Sequence, residues 1–434
     1  VPSSSLHSDY SSQGDPQVMT VARRCLPCGS PQPPLASSAA PHRFQQRATL
    51  VNARIKWAKD PTLDAAVARE RHLRPALHLV HAISPSSGRD GVPLHHLPSR
   101  RRLALPSTVP SIASFMRRHP ALFHEQRRPP PPSSPLPATR PFRWFGLTPE
   151  ATALCREEAE VLRETEGELV DRLRKLLMLA AGATLPLPVV DQLRWDLGLP
   201  LDYRETLLPR YPHFFRVEPA AAANPHGDTA DERPWLRLLC WDARLAISHL
   251  QMEKATRGED RGCLAFPVRF PRGFGLKKKW MAWLEEWQRL PYTSPYDHAA
   301  AGQLDPRTDA AEKRVVAVFH ELLHLMVGKK TERANLSNLR LPLGLPYKFS
   351  KVFGRHPGVF YLSPKLATQT VVLREAYGGG RARGELVEKH PVVEIREKFA
   401  ALMRVGREDG EKDDAFGSGE EEDVEEEEFT CDGS

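Results

Sequence analysis

Arg118-His119-Pro120-Ala121-Leu122-Phe123, Arg210-Tyr211-Pro212-His213-Phe214-Phe215 and Arg355-His356-Pro357-Gly358-Val359-Phe360 are three writings of one pattern. Each runs arginine, His or Tyr, proline, any residue, an apolar residue, phenylalanine. An apolar segment with helical spacing precedes each, and two of those segments follow the same tetrapeptide, Leu197-Gly198-Leu199-Pro200 and Leu343-Gly344-Leu345-Pro346. Proline cannot continue a helix and drives the residue before it out of the α region. The phenylalanine then re-enters the core. The pattern predicts a helix–turn–extended unit used three times. The prolines stand 92 and 145 residues apart, so a solenoid of fixed period is excluded. Basic and aromatic groups repeated near turns suit a nucleic-acid surface better than a catalytic pocket.

Working outward from these turns, the chain reads as mainly α, with irregular helical-hairpin repeats and short extended segments. Thr148-Pro149-Glu150 supplies an N-cap, a first-turn proline and a first-turn acid. Leu154, Val161, Leu162, Leu169, Leu173, Leu176 and Leu177 follow at helical spacing. A second hairpin runs through Val189, Leu193 and Leu197 toward Pro212, and Trp235-Leu236-Arg237-Leu238 begins like a strand. Two low-complexity segments interrupt the body: a proline-rich insert at 127–141, read as an extended linker without a core, and a flexible joint at 220–234.

The formal net charge of +7 conceals a division. Residues 408–432 hold 14 acids and one base, Lys412, and the rest of the chain holds 60 bases and 40 acids, a net of about +20. An excess of that size points to a polyanionic partner. The like-charged block in 404–434 predicts a disordered acidic tail. At the other end, residues 16–59 contain no acid and carry Arg23, Arg24, Arg43, Arg47, Arg54, Lys56 and Lys59 among Ser, Ala and Pro. That is the profile of an organellar transit segment, expected within a disordered leader at 1–46 and placed well by a start at Met19. Arginine content favours the mitochondrion over the chloroplast, with chloroplast or dual import as the alternative. No run approaches 18 apolar residues, so no membrane span is expected. Cys25 and Cys28 form a lone C-x-x-C without the second pair that a zinc site requires.

Residues 266–296 read FPVRFPRGFGLKKKWMAWLEEWQRLPYTSPY. Pro267, Pro271, Gly273 and Gly275 forbid regular structure in the first half and hold Arg269, Arg272 and Phe274 on an irregular loop. Lys277, Lys278 and Lys279 then open a helix on which Trp280, Trp283, Leu284 and Trp287 share one face, read as core. A cationic loop before a helix N-terminus suits phosphate. Arg269, Arg272, Lys277, Lys278 and Lys279 are therefore the expected RNA contacts, with Phe274 as a base-stacking candidate. The arginines of the turns, Arg118, Arg210 and Arg355, form a second set.

His320-Glu321-Leu322-Leu323-His324 matches H-E-x-x-H, whose chemistry is two helix-borne zinc ligands and a general base. Helical projection sets Val315, Phe319, Leu322 and Met326 toward the core and turns both histidines about 100–140° away. No third ligand is marked in the sequence, Glu375 being only a distant candidate. The motif is therefore expected to be structural, with no metal, no cofactor and no catalytic residue.

These residues also carry a resemblance. The 266–296 string, Trp241-Asp242-x-x-Leu245-Ala246-Ile247-Ser248, the HELL helix followed by Lys329-Lys330-Thr331-x-Arg333, and the Leu-Gly-Leu-Pro…Arg-His-Pro-x-x-Phe-Tyr unit resemble the plant organelle RNA recognition family. The likeness runs from about 47 to 403. It implies an RNA-binding protein of mitochondria or chloroplasts that promotes group II intron splicing, with intron RNA, single-stranded or structured, as its partner. Other splicing factors are possible further partners; no membrane and no small-molecule substrate is implied, and no catalysis. Two alternatives stay open on the residues alone: a zinc-dependent hydrolase using 320–324, and a non-catalytic scaffold whose acidic tail recruits basic partners.

Overall fold

A computed structural model describes residues 57–84, 91–103, 105, 109–128, 142–219, 233–257, 264–270, 275, 278–366, 368–379 and 384–405. The leader, the acidic tail, Cys25 and Cys28, and most of both low-complexity segments lie outside the described residues. Every described residue belongs to one compact unit, within 45–434.

The unit opens with helices α1 (Pro61–Ala68) and α2 (Glu70–Ile83). The first sheet follows: β1 (Val92–Pro93), α3 (Ile112–Arg117), β2 (Phe123–Arg128) and β3 (Phe142–Leu147). Helices α4 (Pro149–Glu164) and α5 (Glu166–Leu179) lead to the second, made of β4 (Thr184–Pro186), α6 (Leu187–Leu197), α7 (Tyr203–Thr206), β5 (Phe215–Glu218) and β6 (Trp235–Leu238). Next come α8 (His249–Thr256), α9 (Lys278–Gln288), α10 (His298–Gly302) and α11 (Asp309–Leu325). The third sheet contains β7 (Lys330–Glu332), α12 (Arg333–Asn338), α13 (Lys351–Arg355), β8 (Phe360–Ser363) and β9 (Thr370–Leu373), and α14 (Pro391–Leu402) closes the series. About half of the described chain is helical. No helix among the described residues is long and apolar enough to cross a membrane.

All three sheets are antiparallel, three-stranded and ordered alike: the last strand in sequence lies in the centre, between the first and the second. Each arginine–proline turn ends on the phenylalanine that starts the second strand, Phe123, Phe215 or Phe360. In each case the turn joins a helix to an edge strand, in the helix–turn–extended order that the pattern predicts. The strands are two to six residues long, too short for a clear alternating pattern. Residues 127 and 128 are corrected. They are strand, with Arg127 opposite Arg143 and Arg128 opposite Phe142, so the proline-rich segment connects a hairpin. The 220–234 joint falls at the matching place, between β5 and β6.

Local chemistry explains the main boundaries. Thr148 accepts a hydrogen bond from Ala151 N at 3.2 Å and caps α4 as the sequence indicates. Gly198 and Gly344 of the two Leu-Gly-Leu-Pro segments take φ of 78° and 61°, a left-handed conformation that lets the chain turn out of the preceding helical stretch. A large core joins α5, α6, α9 and α11 to the second and third sheets. Trp280, Trp283, Leu284 and Trp287 are all buried in it, as their spacing predicts. Helix α11 is buried on nearly every side from Val315 to Leu323, which marks a central core helix. A second cluster packs α2, α3 and the first sheet against Ile395, Phe399 and Met403 at the C-terminal end. A third sets Leu63, Ala66 and Val67 of α1 on Tyr361, Val372 and Tyr377.

Candidate nucleic-acid interface

Among the sequence-predicted contacts, Arg272, Phe274 and Lys277 lie outside the described residues. Lys278 and Lys279 stand exposed at the start of α9, and neither forms an ion pair among the described residues. Arg269 is exposed and anchored: its backbone N donates to Gly358 O at 2.9 Å and its guanidinium to Tyr377 O at 2.7 Å. The loop thus lies against the third turn, so closely that a Cβ on Gly358 would overlap Val268 and Phe270. Phe270 meets Trp280 edge-on, and His356 of the same turn packs on Trp287 at 4.3 Å. Arg269, the start of α9 and Arg355 are brought into one region. Arg118 and Arg210 stand at the first and second turns.

The turns themselves serve mainly as anchors. His119 and His356 are buried, and His119 Nδ1 lies 3.4 Å from Met403 O. Glu312 takes both Arg355 (2.8 Å) and His356 (2.7 Å), while Glu166 takes both Arg210 (2.6 Å) and Tyr211 (3.0 Å). One carboxylate thus holds both leading residues of two turns. Arg355 also lies over the Trp283 ring at 5.3 Å. In the turns, His119, Phe123, Phe215, His356 and Phe360 are buried, where they close the joint between helix and strand.

A cationic cluster that the sequence reading missed sits on the first sheet. Arg127 and Arg143 are Cα partners on adjacent strands, both exposed, and Arg117 lies beside them. Glu125 bridges Arg117 at 2.7 Å and Arg143 at 3.6 Å, and the Arg117 guanidinium, with Arg143 and Arg127, holds its carboxyl below the usual range. Like charges directly opposite on a sheet are destabilising unless an anion lies between or above them. The insert between β2 and β3 hides this pairing in the sequence; recognising the hairpin would have revealed it. Conversely, Lys330 of the quoted Lys-Lys-Thr motif is buried, 3.2 Å from Glu70 and donating to Ala66 O at 3.0 Å.

The H-E-x-x-H segment differs from its expectation. His320 is 1 % exposed, because α11 is covered on its opposite face as well from Val315 to Leu323 and helical projection alone misplaces it. Glu375, in the short turn after β9, stands at the motif: its Oε1 lies 2.6 Å from His320 Nε2 and 2.7 Å from His324 Nε2. Burial pushes His324 well below the ordinary histidine range. Burial also raises Glu375, but the two imidazoles outweigh it and hold the carboxyl far down. Glu321 faces another set of partners: Lys175 Nζ at 2.8 Å, Tyr296 Oη at 2.7 Å and His249 N at 2.6 Å. It is consumed structurally, which removes the general base that a hydrolase of this motif requires.

Comparison with known proteins identifies the family. The profile of the plant organelle RNA recognition domain matches residues 58–408. Protein WHAT'S THIS FACTOR 9, mitochondrial, of Arabidopsis thaliana is 36 % identical over 364 residues, 83 % of this chain and 87 % of that protein. Protein WHAT'S THIS FACTOR 1 homolog, chloroplastic, of Arabidopsis thaliana is 31 % identical over 82 % of this chain and 64 % of its own length. Protein WHAT'S THIS FACTOR 1, chloroplastic, of Zea mays is 31 % identical over 86 % of this chain and 71 % of its own. No solved structure matches. With a match that covers the three sheets and the helices between them, the chain belongs to the plant organelle RNA recognition domain family.

Proposed function

We propose that this chain is an organellar RNA-binding protein that promotes group II intron splicing by holding intron RNA in its reactive fold. The family match across 58–408 carries this reading. The body's excess of about +20 supports it, since phosphate contacts supply most sequence-independent affinity. The protein's work is binding and restraint, and the intron RNA performs the transesterification. The hydrolase reading is disfavoured by the engagement of Glu321 with Lys175 and Tyr296.

The proposed contact surface is the 269–279 region, with Arg269, Arg272, Lys277, Lys278 and Lys279 for phosphates and Phe274 for a stacked base, extended by Arg117, Arg127 and Arg143 of the first sheet. Arg118, Arg210 and Arg355 take a secondary part, because Arg210 and Arg355 already hold glutamates. Mitochondrial import is favoured by the arginine-bearing, acid-free segment at 16–59 and by the mitochondrial relative. RNA that co-purifies with the protein from isolated organelles should be enriched in group II intron sequence. Recovery without intron enrichment would overturn the splicing role while leaving RNA binding intact. A fluorescent fusion of residues 19–60 should enter mitochondria, and a cytosolic signal would defeat import.

A further inference from the structure

Two imidazoles converging on one buried carboxylate oxygen are more than a packing detail. His320 and His324 are one helical turn apart on α11, so their Nε2 atoms face the same side. With Glu375 they place three ligand atoms within 4.8 Å of one another. Neighbouring groups are tied into the fold by hydrogen bonds and ring contacts. Arg374, the neighbour of Glu375, is bound to Asp60 at 2.9 Å and its N donates to Val359 O at 3.0 Å, while Tyr377 donates to Gly328 O at 2.7 Å. Phe266 meets the His320 ring edge-on at 5.2 Å, and the His249 ring lies parallel to His324 at 3.6 Å. The hydrogen bonding is lopsided: both histidines use Oε1, and the buried Oε2 of Glu375 has no hydrogen-bond partner. A buried carboxylate oxygen without a partner is costly.

We propose that His320, His324 and Glu375 bind a zinc ion that ties α11 to the turn following β9. Two imidazole nitrogens and one carboxylate oxygen are a donor set zinc accepts, at about 2.0–2.2 Å per bond. Tetrahedral bonds of that length set ligand atoms roughly 3.3 Å apart, so the two carboxylate–imidazole separations, 2.6 and 2.7 Å, need to widen by well under 1 Å. A zinc ion here departs from the expectation of no metal that rests on helical projection, and is supported by the burial of His320 and the placement of Glu375. The ion acts as a brace and not as a hydrolytic centre, because Glu321 faces Lys175, Tyr296 and His249 N. The competing account is a metal-free clamp in which both imidazoles donate to Glu375.

The test uses the full chain without RNA, stripped with a chelator and then equilibrated with zinc alone or cobalt(II) alone. One equivalent of zinc per chain should remain after desalting, and the thermal midpoint should rise by at least about 3 °C. Cobalt should give visible d–d bands without a thiolate charge-transfer band, and zinc should bleach them. His324→Ala, at the end of the helix, should lose the equivalent and the bands while circular dichroism stays native. Should that variant misfold, the wild-type cobalt spectrum still decides. Wild-type protein holding less than about a tenth of an equivalent, or a thiolate band placing the ion on cysteine, would overturn the proposal. Full occupancy in a folded His324→Ala protein would do the same.

Discussion

Glu321 and Asp196 show how single buried acids set the limits of this fold. Glu321 accepts from Lys175, Tyr296 and the backbone of His249, so it joins α5, α8, α11 and the segment before α10. Glu321→Gln keeps the shape but leaves Lys175 without its counter-charge; we expect a loss of about 1–3 kcal/mol in urea unfolding, with RNA affinity of the folded protein unchanged. Asp196 is buried and takes hydrogen bonds from Thr331 at 2.6 Å and Asn335 at 3.3 Å. Burial raises its carboxyl to about 6 from 3.8. Its neutral form therefore contributes stability that is complete below about 3.8 and is lost as pH rises through about 6, a change of up to about 3 kcal/mol. Asp196→Asn should flatten stability between pH 4 and 6, since the Asn oxygen can still accept from both partners. A pH dependence identical to wild type would contradict this assignment.

At the scale of elements, the start of α9 is the sharpest test of RNA contact. Neutralising Lys277, Lys278 and Lys279 together should weaken binding to many RNA sequences alike and lower the salt slope by up to about 2, as lost phosphate contacts require. An unchanged slope in filter binding would move the contact to Arg117, Arg127 and Arg143. Gly198→Ala is a test of the turn at the end of α6. At φ 78° an added Cβ is strained, and it would lie 2.9 Å from Val327 Cγ1, so a loss of about 1 kcal/mol or more is expected on thermal unfolding. Such elements were legible in unequal measure. The Thr148 cap, the tryptophan face of α9 and the three turns could be read because proline, glycine and helical spacing leave strong marks. The sheets could not, because β1, β4 and β7 are only two or three residues long and each pairs with a strand far along the chain. The burial of His320 was missed for a related reason: projection finds an apolar face but cannot tell that the opposite face is also covered.

For the whole molecule, charge and connectivity matter more than any one contact. Removing residues 408–432 takes the net charge from +7 to about +20. The shortened protein should bind RNA more tightly at low salt, and the difference should fade as ionic strength rises. Both low-complexity segments join the second and third strands of a sheet, which is where a hairpin tolerates length at small entropic cost. The two ends of the described chain behave in the opposite way. Asp64 of α1 accepts from Tyr361 at 2.9 Å and Ser363 at 2.6 Å, so the first helix rests on the last sheet. Ile395, Phe399 and Met403 complete the cluster under the first sheet. Contacts this distant in sequence delay folding. A chain threaded through a translocation channel N-terminus first therefore keeps the first cluster open until the final helix has emerged. It then closes both ends in one late step, and an interrupted passage leaves apolar surface for a holding chaperone and no independently folded half.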